Sequence, residues 1–261
     1  MNAKAAYRAR PADGSAWVTG ASSGIGRAVA LELARRGFAV YATARRAEAL
    51  EALSAEAARL PCRIVAMPGD VTDRAAVAAL HQRIETERPV ALAVLAAGGA
   101  YRDAADDFGG EAFQRTFALN VQGVANAVNP AFNAMRARGR GQIAIVGSLI
   151  GYGGVPNAYA YGPSKAAVIS LAVGLKFPGD AQNVRIQIVN PGYVRTPLTA
   201  GNRYPMPFLM EADDAARRVC DGLARGGFEI RFPRRFALLV RAAQSLPYPL
   251  FFALFRAAGL R

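Results

Sequence analysis

The sequence predicts an α/β fold in which helices cover both faces of a doubly wound parallel sheet. Short apolar runs of strand length alternate with longer helical patterns along most of the 261 residues. A glycine-rich turn follows the first apolar run, where a helix is expected to begin. No linker or repeat interrupts the alternation. We therefore expect one domain over 1–261, with a core over 14–232 and a C-terminal helical extension over 233–261.

The predicted strands are short apolar runs, and the predicted helices fill the longer periodic segments between them. In chain order the strands cover 15–19, 38–43, 63–67, 90–96, 142–146, 185–189 and 228–232. The helices that follow the first six strands cover 24–36, 46–59, 73–87, 111–138, 159–176 and 211–225. Each strand thus leads into a helix that can return the chain to the same edge of the sheet, as parallel pairing requires.

The net charge is +13, and arginine carries almost all of it, since lysine occurs only at positions 4, 165 and 176. Such a charge favours anionic partners, namely a phosphorylated cofactor, acidic lipid or nucleic acid. The arginines are scattered and form no stripe with interleaved aromatic residues. We therefore expect solvated helix faces and no nucleic-acid binding.

Cysteine and histidine usage limits the chemistry of any site. Cys62 and Cys220 lie far apart, so neither a disulfide framework nor a metal cluster is expected. His81 is the single histidine and falls in a helix that we expect to be a solvated surface helix. The polar N-terminus shows no apolar signal segment. These features predict a cytoplasmic protein without a metal site.

The glycine-rich turn has the composition of a dinucleotide-binding loop. It reads Thr19-Gly20-Ala21-Ser22-Ser23-Gly24-Ile25-Gly26 and leads directly into a helix. These glycines permit a tight turn, close approach of the backbone to phosphate, and free N–H groups facing the anion. Glycine clusters also occur in ordinary loops, but the position between a strand and a helix favours the binding function.

The end of the second strand indicates which nicotinamide cofactor binds. An acid there would bind the adenosine ribose of NAD, whereas the sequence reads Ala44-Arg45-Arg46. Two guanidinium groups pair well with a ribose 2′-phosphate, so we predict NADP(H), with Arg45 the main contact and Arg46 the second. The alternative is that both arginines only begin a surface helix.

Tyr161 and Lys165 form a candidate catalytic pair. They are four positions apart, so on a helix their side chains lie on one face. An ammonium beside a phenol lowers the tyrosine pKa from its usual value near ~10. Ser148 lies thirteen positions before Tyr161, at the end of the fifth strand, where its hydroxyl can donate to the same substrate oxygen. The upstream glycine turn distinguishes this pair from the many chance Tyr-x-x-x-Lys pairs.

Over residues 14–200 these motifs resemble the short-chain dehydrogenase/reductase family. The matches, in family order and spacing, are Thr19-Gly20-x-x-x-Gly24-Ile25-Gly26, Asp70-Val71, Asn120, Ser148, Tyr161-x-x-x-Lys165 and Asn190-Pro191-Gly192 with Thr196. The resemblance implies a Rossmann fold, a homodimer or homotetramer, and hydride transfer between a nicotinamide and a carbonyl or carbinol carbon.

The resemblance also implies roles for the matched residues. Tyr161 would be the general acid in reduction, Ser148 would polarise the substrate oxygen, and Lys165 would lower the pKa of Tyr161 and hold the nicotinamide ribose. Asn120 would anchor a water behind Lys165, or it could simply cap or bridge helices. The implied cofactor contacts are Gly20, Ser22, Ser23, Gly24, Ile25, Gly26, Arg45, Arg46, Asp70, Val71, Ala97, Gly98, Tyr161, Lys165, Pro191, Gly192, Val194 and Thr196.

Two of these regions leave alternatives open. Asp70 would bind the adenine amino group with Val71 along the ring, or the pair could be a loop acid before a helix. Leu95-Ala96-Ala97-Gly98-Gly99 stands where the family usually has Asn-Asn-Ala-Gly. The small residues still let the backbone pass the adenosine ribose, but the asparagine hydrogen bonds are missing. We expect a less firmly tied loop and weaker cofactor binding, with the chemistry retained.

The segment 198–208 resembles the family's lid over the substrate, and its Leu, Met, Phe and Tyr content suggests an apolar pocket wall. Tyr152, Pro156 and Tyr159 are expected to face the same space. An apolar ketone or alcohol is therefore the predicted substrate, and ordinary packing is the alternative.

The C-terminal extension places aromatic and aliphatic residues between arginines over 234–256. Its longest apolar run, 246–255, contains two prolines and is too short to cross a bilayer, which takes roughly 20 residues. The segment could make peripheral membrane contact or pack against the chain's own lid or a second subunit, and we favour packing.

Three functions are candidates for this chain. An NADPH-dependent carbonyl reductase or alcohol dehydrogenase explains all the motifs. A non-catalytic NADP-binding regulator would not require Asn120, Ser148, Tyr161 and Lys165 together. A membrane-surface or polyanion-binding protein would leave the ordered motifs unexplained.

Overall fold

The computed structural model of the chain describes residues 7–101, 108–202 and 205–257. Its strands are β1 Ser15–Thr19, β2 Val40–Thr43, β3 Ile64–Ala66, β4 Val90–Leu95, β5 Gly141–Val146, β6 Val184–Pro191 and β7 Glu229–Phe232. They form one parallel sheet in the order β3-β2-β1-β4-β5-β6-β7, which confirms the predicted doubly wound fold. The strand order reverses between β1 and β4, so their carboxyl ends border a crevice of the kind that binds ligands.

In the described residues, nine α-helices accompany the sheet. They are α1 Gly24–Arg35, α2 Ala47–Glu56, α3 Arg74–Glu87, α4 Glu111–Phe117, α5 Gly123–Arg138, α6 Tyr161–Ala181, α7 Ala212–Arg225, α8 Arg234–Gln244 and α9 Tyr248–Ala257. Short 3-10 turns cover Pro11–Asp13, Ala57–Arg59 and Leu149–Tyr152. The last two helices form the extension that the sequence predicts.

The two faces of the sheet build two separate cores. Because successive side chains of a strand point to opposite faces, Ala16 and Val18 of β1 pack with α1 and α7. Trp17, between them, packs on the other face with α3 and α5. Its indole N–H donates to Thr43 Oγ1 at 2.9 Å. This bond gives a partner to a polar group that is fully buried.

His81 is buried, and the expectation that it is solvated is wrong. Only 3% of the residue is exposed, and its ring meets Trp17 edge-on at a centroid distance of 5.2 Å. Burial lowers the pKa of His81, so the neutral imidazole is favoured. The apolar face of α3 therefore includes this histidine, which has a packing role.

The helix predicted over 111–138 is divided in two. A π-helical turn, Ala118–Gln122, separates α4 from α5. It places Asn120 in the interior, where the side chain is fully buried and bonded to the loop after β4. Such wide turns often accompany functional sites. The interruption depends on these long-range bonds, which a local periodicity cannot reveal.

α6 is longer than the sequence predicts, since it ends at Ala181 and passes through Pro178. Pro163 stands in its first turn, where a missing N–H removes no helical hydrogen bond. Near the other end, Gly179 packs so closely on β6 that a Cβ would lie 2.6 Å from the Val184 carbonyl oxygen. Packing on the sheet thus stabilises the last turn.

Candidate active site

The glycine turn between β1 and α1 lies at the centre of the crevice. Gly20 has a φ of +70°, and a Cβ there would lie 2.7 Å from the backbone of Ala96 and Ala97. A Cβ at Gly26 would lie 2.4 Å from the Gly20 carbonyl oxygen. Only glycine therefore allows α1 to start this close to β1, and the turn to press against the loop after β4.

The N-terminus of α1 opens into the crevice. The Ser23 side chain, directly before α1, makes no capping hydrogen bond. Backbone N–H groups of the first turn are therefore available to an anionic ligand. The structure brings the predicted phosphate-binding residues together along this surface, and the lining includes Ser22, Ser23, Gly24, Ile25 and Gly26.

One end of the crevice combines two arginines with a loop acid. Arg45 and Arg46 follow β2 and are both exposed. The Arg46 guanidinium donates to Ser22 Oγ at 3.3 Å. Asp70 follows β3, and its Oδ1 accepts hydrogen bonds from the N–H and the hydroxyl of Thr72, both at 2.9 Å. The lining here is Gly20, Ser22, Ser23, Ala44, Arg45, Arg46, Gly69, Asp70, Val71, Ala97, Gly98 and Leu119.

The other end contains the predicted catalytic residues. Ser148, Tyr161 and Lys165 line one cavity with the glycine turn and with the loop after β6. The end of β6 and that loop contribute Pro191, Gly192, Val194, Thr196, Pro197, Leu198 and Thr199. A Cβ at Gly24 would lie 3.0 Å from Thr196 Cγ2, so the loop closes directly over the turn.

Lys165 is buried on α6 beside Tyr161. Its Nζ donates to the Val146 carbonyl oxygen at 3.0 Å and lies 5.7 Å from the centre of the Tyr161 ring. Burial lowers the pKa of the Lys165 ammonium to about 8. A negative charge on the neighbouring phenol would favour the ammonium again, so an ionised Tyr161 and a protonated Lys165 stabilise each other.

Ser148 lies between β5 and the 3-10 turn that follows it. Its Oγ accepts a hydrogen bond from the Ile150 N–H at 3.3 Å and lies 3.5 Å from the Pro191 carbonyl oxygen. The first contact fixes the side chain as the cap of the turn. The second is long for a hydroxyl donor, so the proton can turn toward a ligand oxygen in the cavity.

Asn120 joins the loop after β4 to α6. Its Nδ2 donates to the Gly99 carbonyl oxygen and to Ser164 Oγ, both at 2.9 Å, while its Oδ1 accepts from the Gly99 N–H at 2.8 Å. A Cβ at Gly98 would lie 3.2 Å from both Asn120 Oδ1 and Lys165 Nζ. Asn120 thus lies next to Lys165 without lining the cavity, and its side chain has a bridging role.

The loop that lacks the family's asparagines is held by other side chains. The Ala97 N–H donates to Thr19 Oγ1 at 3.2 Å, and both backbone groups of Gly99 pair with Asn120. These bonds come from β1 and from the π-helical turn. Because both partners lie outside the loop, the sequence of the loop alone does not reveal these hydrogen bonds.

Several lining residues were not among the candidates from sequence. Gly69, Leu119 and Gly147 are examples, and each adjoins a residue that was predicted. Gly69 and Gly147 follow the ends of β3 and β5. Because the carboxyl ends of parallel strands meet at one edge, the strand pattern is enough to predict that these two glycines line the crevice. The position of Leu119 depends on the π-helical turn, which the pattern does not show.

None of the three residues expected on the substrate side between Ser148 and Tyr161 lines the cavity. Tyr152 donates its hydroxyl to Glu229 Oε1, and the Arg241 guanidinium lies 4.7 Å from the centre of its ring. The 3-10 turn carries this side chain toward β7 and α8, away from the cavity. Tyr159 packs edge-on against Phe108 at a centroid distance of 5.1 Å, and Pro156 does not line the cavity either.

The lid segment contributes Leu198 to the cavity lining. Phe208, which is half exposed, packs at 5.8 Å against Phe236 of α8. Arg203 and Tyr204, which also belong to this segment, lie outside the described residues. The lid is thus joined to the C-terminal extension through an aromatic contact.

Comparison with known proteins gives concordant results. The sequence model of the short chain dehydrogenase family matches residues 15–206. An "uncharacterized oxidoreductase" of Myxococcus xanthus is 37% identical over 91% of this chain and 94% of its own length. A cis-4-hydroxycyclohexanecarboxylate dehydrogenase of Sinomonas cyclohexanicum is 34% identical over 80% of this chain and 82% of its own.

Solved structures share the fold. A short-chain dehydrogenase from Sphingobium yanoikuyae, determined in complex with NADPH, aligns with a TM-score of 0.78 and 27% identity over 88% of this chain and 93% of that one. The matched family region contains the glycine turn, Ser148, Tyr161 and Lys165. The chain therefore belongs to the short chain dehydrogenase family of oxidoreductases.

Proposed function

We propose that this chain is an NADP(H)-dependent oxidoreductase that interconverts a ketone or aldehyde and an alcohol, with Tyr161 as general acid and base. One observation carries the proposal: Ser148, Tyr161 and Lys165 share a cavity with the glycine turn at the N-terminus of α1. A reacting carbon beside the three side chains would thus lie within a dinucleotide-binding crevice. A regulator without catalysis would have no use for this convergence.

The crevice fits a dinucleotide. Gly20 and Gly26 leave no space for a side chain, so the backbone of the turn and the first turn of α1 can approach and bind phosphate groups. Asp70, Val71 and Ala97 would hold the adenosine, and the loop from Pro191 to Thr196 would hold the nicotinamide. When bound, the nicotinamide supplies or accepts the hydride.

The side chains of this chain then manage the proton. Tyr161 gives the proton of its hydroxyl to the substrate oxygen in reduction and takes it back in oxidation. Ser148 donates to the same oxygen and polarises the carbonyl, while the Lys165 ammonium stabilises the phenolate. Asn120 fixes the loop beside Lys165 through the bonds of its side chain to Gly99 and Ser164.

Selectivity for NADP(H) follows from Arg45 and Arg46. Both are exposed at the adenosine end of the crevice, and the sequence places no acid between β2 and α2. Two guanidinium groups favour a ribose 2′-phosphate over neutral ribose hydroxyls. The S. yanoikuyae relative was determined with NADPH, which is consistent with this choice.

The substrate is proposed to be apolar. Pro197 and Leu198 line the cavity next to the catalytic residues, and Leu198 is 44% exposed. An apolar wall of this kind would bind the body of a ketone or alcohol while the polar groups bind its oxygen.

A homodimer or homotetramer is also proposed. On α6, Val173 is 45% and Phe177 is 74% exposed. Four positions separate them, so they form one apolar stripe that a second copy can cover. We further infer that the extension belongs to the same domain as the core, because α8 packs on β7 and on the lid.

The test is a screen of NADPH and NADH oxidation over ketones of graded size. We expect turnover with NADPH and at least a tenfold higher kcat/KM than with NADH. Replacing both arginines, Arg45→Ser with Arg46→Ser, should remove most of this preference, whereas Arg59→Ser, an exposed arginine outside the crevice, should not. Equal affinity for both cofactors would contradict the NADP(H) assignment, and tight NADPH binding without turnover would favour a regulator.

A further inference from the structure

The C-terminal helices present most of the exposed large apolar side chains in the part of the chain that the structure describes. Seven of the twelve lie within α8, α9 and their connection: Leu238, Leu239, Leu246, Tyr248, Leu250, Phe252 and Leu254. We call these seven residues the C-terminal face. Large apolar side chains concentrated in one exposed segment indicate a surface that a partner or a membrane covers.

The exposed side chains follow helical spacing. On α8, Leu238 and Leu239 lie one turn after Arg234 and Arg235. On α9, Tyr248 stacks on Phe252 at a centroid distance of 5.9 Å, and Leu250 and Leu254 repeat the same four-residue spacing. On α8 the exposed leucines share one side with these arginines, whereas on α9 the Tyr248–Phe252 pair and the Leu250–Leu254 pair lie on different sides, so most of the α9 surface faces solvent.

The inner side of α8 is already occupied by the chain itself. Phe236 packs against Tyr193 and Phe208, each at a centroid distance of 5.8 Å. Arg241 forms an ion pair with Glu229 at 2.9 Å. The lid therefore covers one side of α8, and it cannot also cover the outer side.

The charges around the face identify its occupant. Glu229 is the last acid of the sequence, and six arginines follow it: Arg231, Arg234, Arg235, Arg241, Arg256 and Arg261. In the described residues Arg231 and Arg241 pair with Glu229, so an isologous dimer through this face would bring Arg234, Arg235 and Arg256 against their own copies with no acid to pair them. An anionic lipid surface offers both missing elements, since its phosphates pair with guanidinium groups and its acyl region accepts the apolar side chains.

We propose that α8 and α9 form a docking surface for an anionic lipid bilayer, on which both helices lie in the headgroup region. Among the helices of the described residues, none has the length and apolar composition of a transmembrane span. The short helices and the exposed Tyr248 suit an interfacial position, where an aromatic ring has one apolar and one wet side.

Sedimentation of the full chain with vesicles tests this proposal. We expect at least tenfold stronger partition onto vesicles of phosphatidylcholine and phosphatidylglycerol (3:1) than onto phosphatidylcholine alone, and weaker partition in 0.5 M NaCl. Two variants should each lower partition at least tenfold: Leu250→Ser with Leu254→Ser, and Arg234→Glu with Arg235→Glu. The matched control, Arg74→Glu with Arg83→Glu on exposed positions of α3, should change it less than twofold.

Two results would overturn the proposal. One is that a folded chain, as judged by its thermal unfolding, binds both vesicle types equally or binds neither. The other is a smaller solution mass of the Leu250→Ser, Leu254→Ser variant in light scattering without vesicles, which would assign the face to a second copy.

Discussion

Lys165 is held between three parts of the fold. Its ammonium donates to Val146 at the end of β5, lies beside the Tyr161 ring on α6, and closely approaches Gly98 of the loop after β4. These contacts fix the nitrogen at the end of the crevice that contains Ser148 and Tyr161. The same burial that fixes it disfavours its charge.

The stability of the cofactor-free protein should therefore depend on Lys165 at alkaline pH. Its pKa is about 8 in the folded protein against 10.5 ordinarily, so between these values the unfolded chain binds more protons. The contribution of Lys165 to the free energy of unfolding should then rise as pH increases from 8 to 10.5. Urea unfolding of the native protein and of Lys165→Met across this range measures the effect, and the difference between the two free energies should change in favour of the native protein as pH rises. The same slope in both proteins would contradict the account.

Replacing Gly26 by alanine should produce a local steric clash. In Gly26→Ala the new Cβ would lie 2.4 Å from the Gly20 carbonyl oxygen, so α1 must move away from the turn. We expect NADPH affinity to fall at least tenfold and the unfolding free energy to fall by about 1–3 kcal/mol. Calorimetric titration and urea unfolding measure the two effects.

Gly174→Ala is the matched control. Gly174 is exposed on α6, and a Cβ there meets nothing within 4 Å. Helix propensity alone predicts a stabilisation of up to about 1 kcal/mol with unchanged NADPH affinity. Weak binding in both variants, or in neither, would contradict the steric explanation.

At the residue scale, sequence reveals the motif positions and misses the long-range partners. The glycine turn and the Tyr161–Lys165 pair are visible because their function depends on short spacing along the chain. Tyr152 is different, since its hydroxyl binds Glu229, which lies 77 positions away. The burial of His81 likewise depends on Trp17, on a strand that is distant in the sequence.

At the scale of elements, Glu229 ties the extension to the sheet. It begins β7 and pairs with Arg231 and Arg241, while Tyr152 and Asn190 donate to its Oε1. Burial alone would raise the pKa of this carboxyl, but the two hydrogen bonds and the arginines lower it overall. One carboxylate thus joins β6, β7, α8 and the turn after Ser148.

Glu229→Gln should therefore weaken the attachment of α8. Loss of the charge leaves both arginines without their anion, so we expect the unfolding free energy to fall by roughly 1–3 kcal/mol. Because the pKa of Glu229 is lowered, its contribution is present above its ordinary value of 4.5 and is lost as pH falls through the folded value. The difference between the two proteins should thus shrink in acid, as urea unfolding at several pH values would show.

Glu111→Gln serves as the control, because Glu111 pairs only with Arg115 on an exposed helix surface. Its loss should cost less than about 1 kcal/mol. A Glu229→Gln protein as stable as this control would contradict the anchoring role.

Sequence periodicity predicts most boundaries of the helices and strands, but packing against other elements determines two of them. The strands and most helices follow the sequence pattern to within a few residues, since buried strands need continuous apolar runs. The division of the helix over 111–138 and the continuation of α6 through Pro178 were not predicted. Both follow from contacts with other elements, which override local propensity.

At the scale of the whole molecule, the crevice joins the two halves of the sheet. The glycine turn and Arg45 come from the half formed by β1 to β3, whereas Ser148 and the loop after β6 come from the other half. Alternation of strands and helices is enough to predict this arrangement. The orientation of α8 and α9 is not predictable in the same way, because it rests on Phe236 and Glu229 contacts.

A ligand that spans both halves should stabilise the whole fold. At a hundredfold excess over its Kd, NADPH should contribute about 2.7 kcal/mol, which for a chain of this size raises the Tm by roughly 5–10 °C. NADH at the same concentration should raise it less. Differential scanning calorimetry measures both shifts, and equal shifts would contradict recognition of the 2′-phosphate.

The proposed mechanism requires that the Tyr161 hydroxyl transfer the proton within a dinucleotide-binding crevice. The most direct measurement compares kcat of the native protein and of Tyr161→Phe on a ketone that the native protein reduces, with NADPH binding followed in parallel. We expect kcat to fall by about 10²- to 10⁴-fold while the NADPH-induced rise in Tm is retained. A Tyr161→Phe protein that turns over at the native rate would contradict the account.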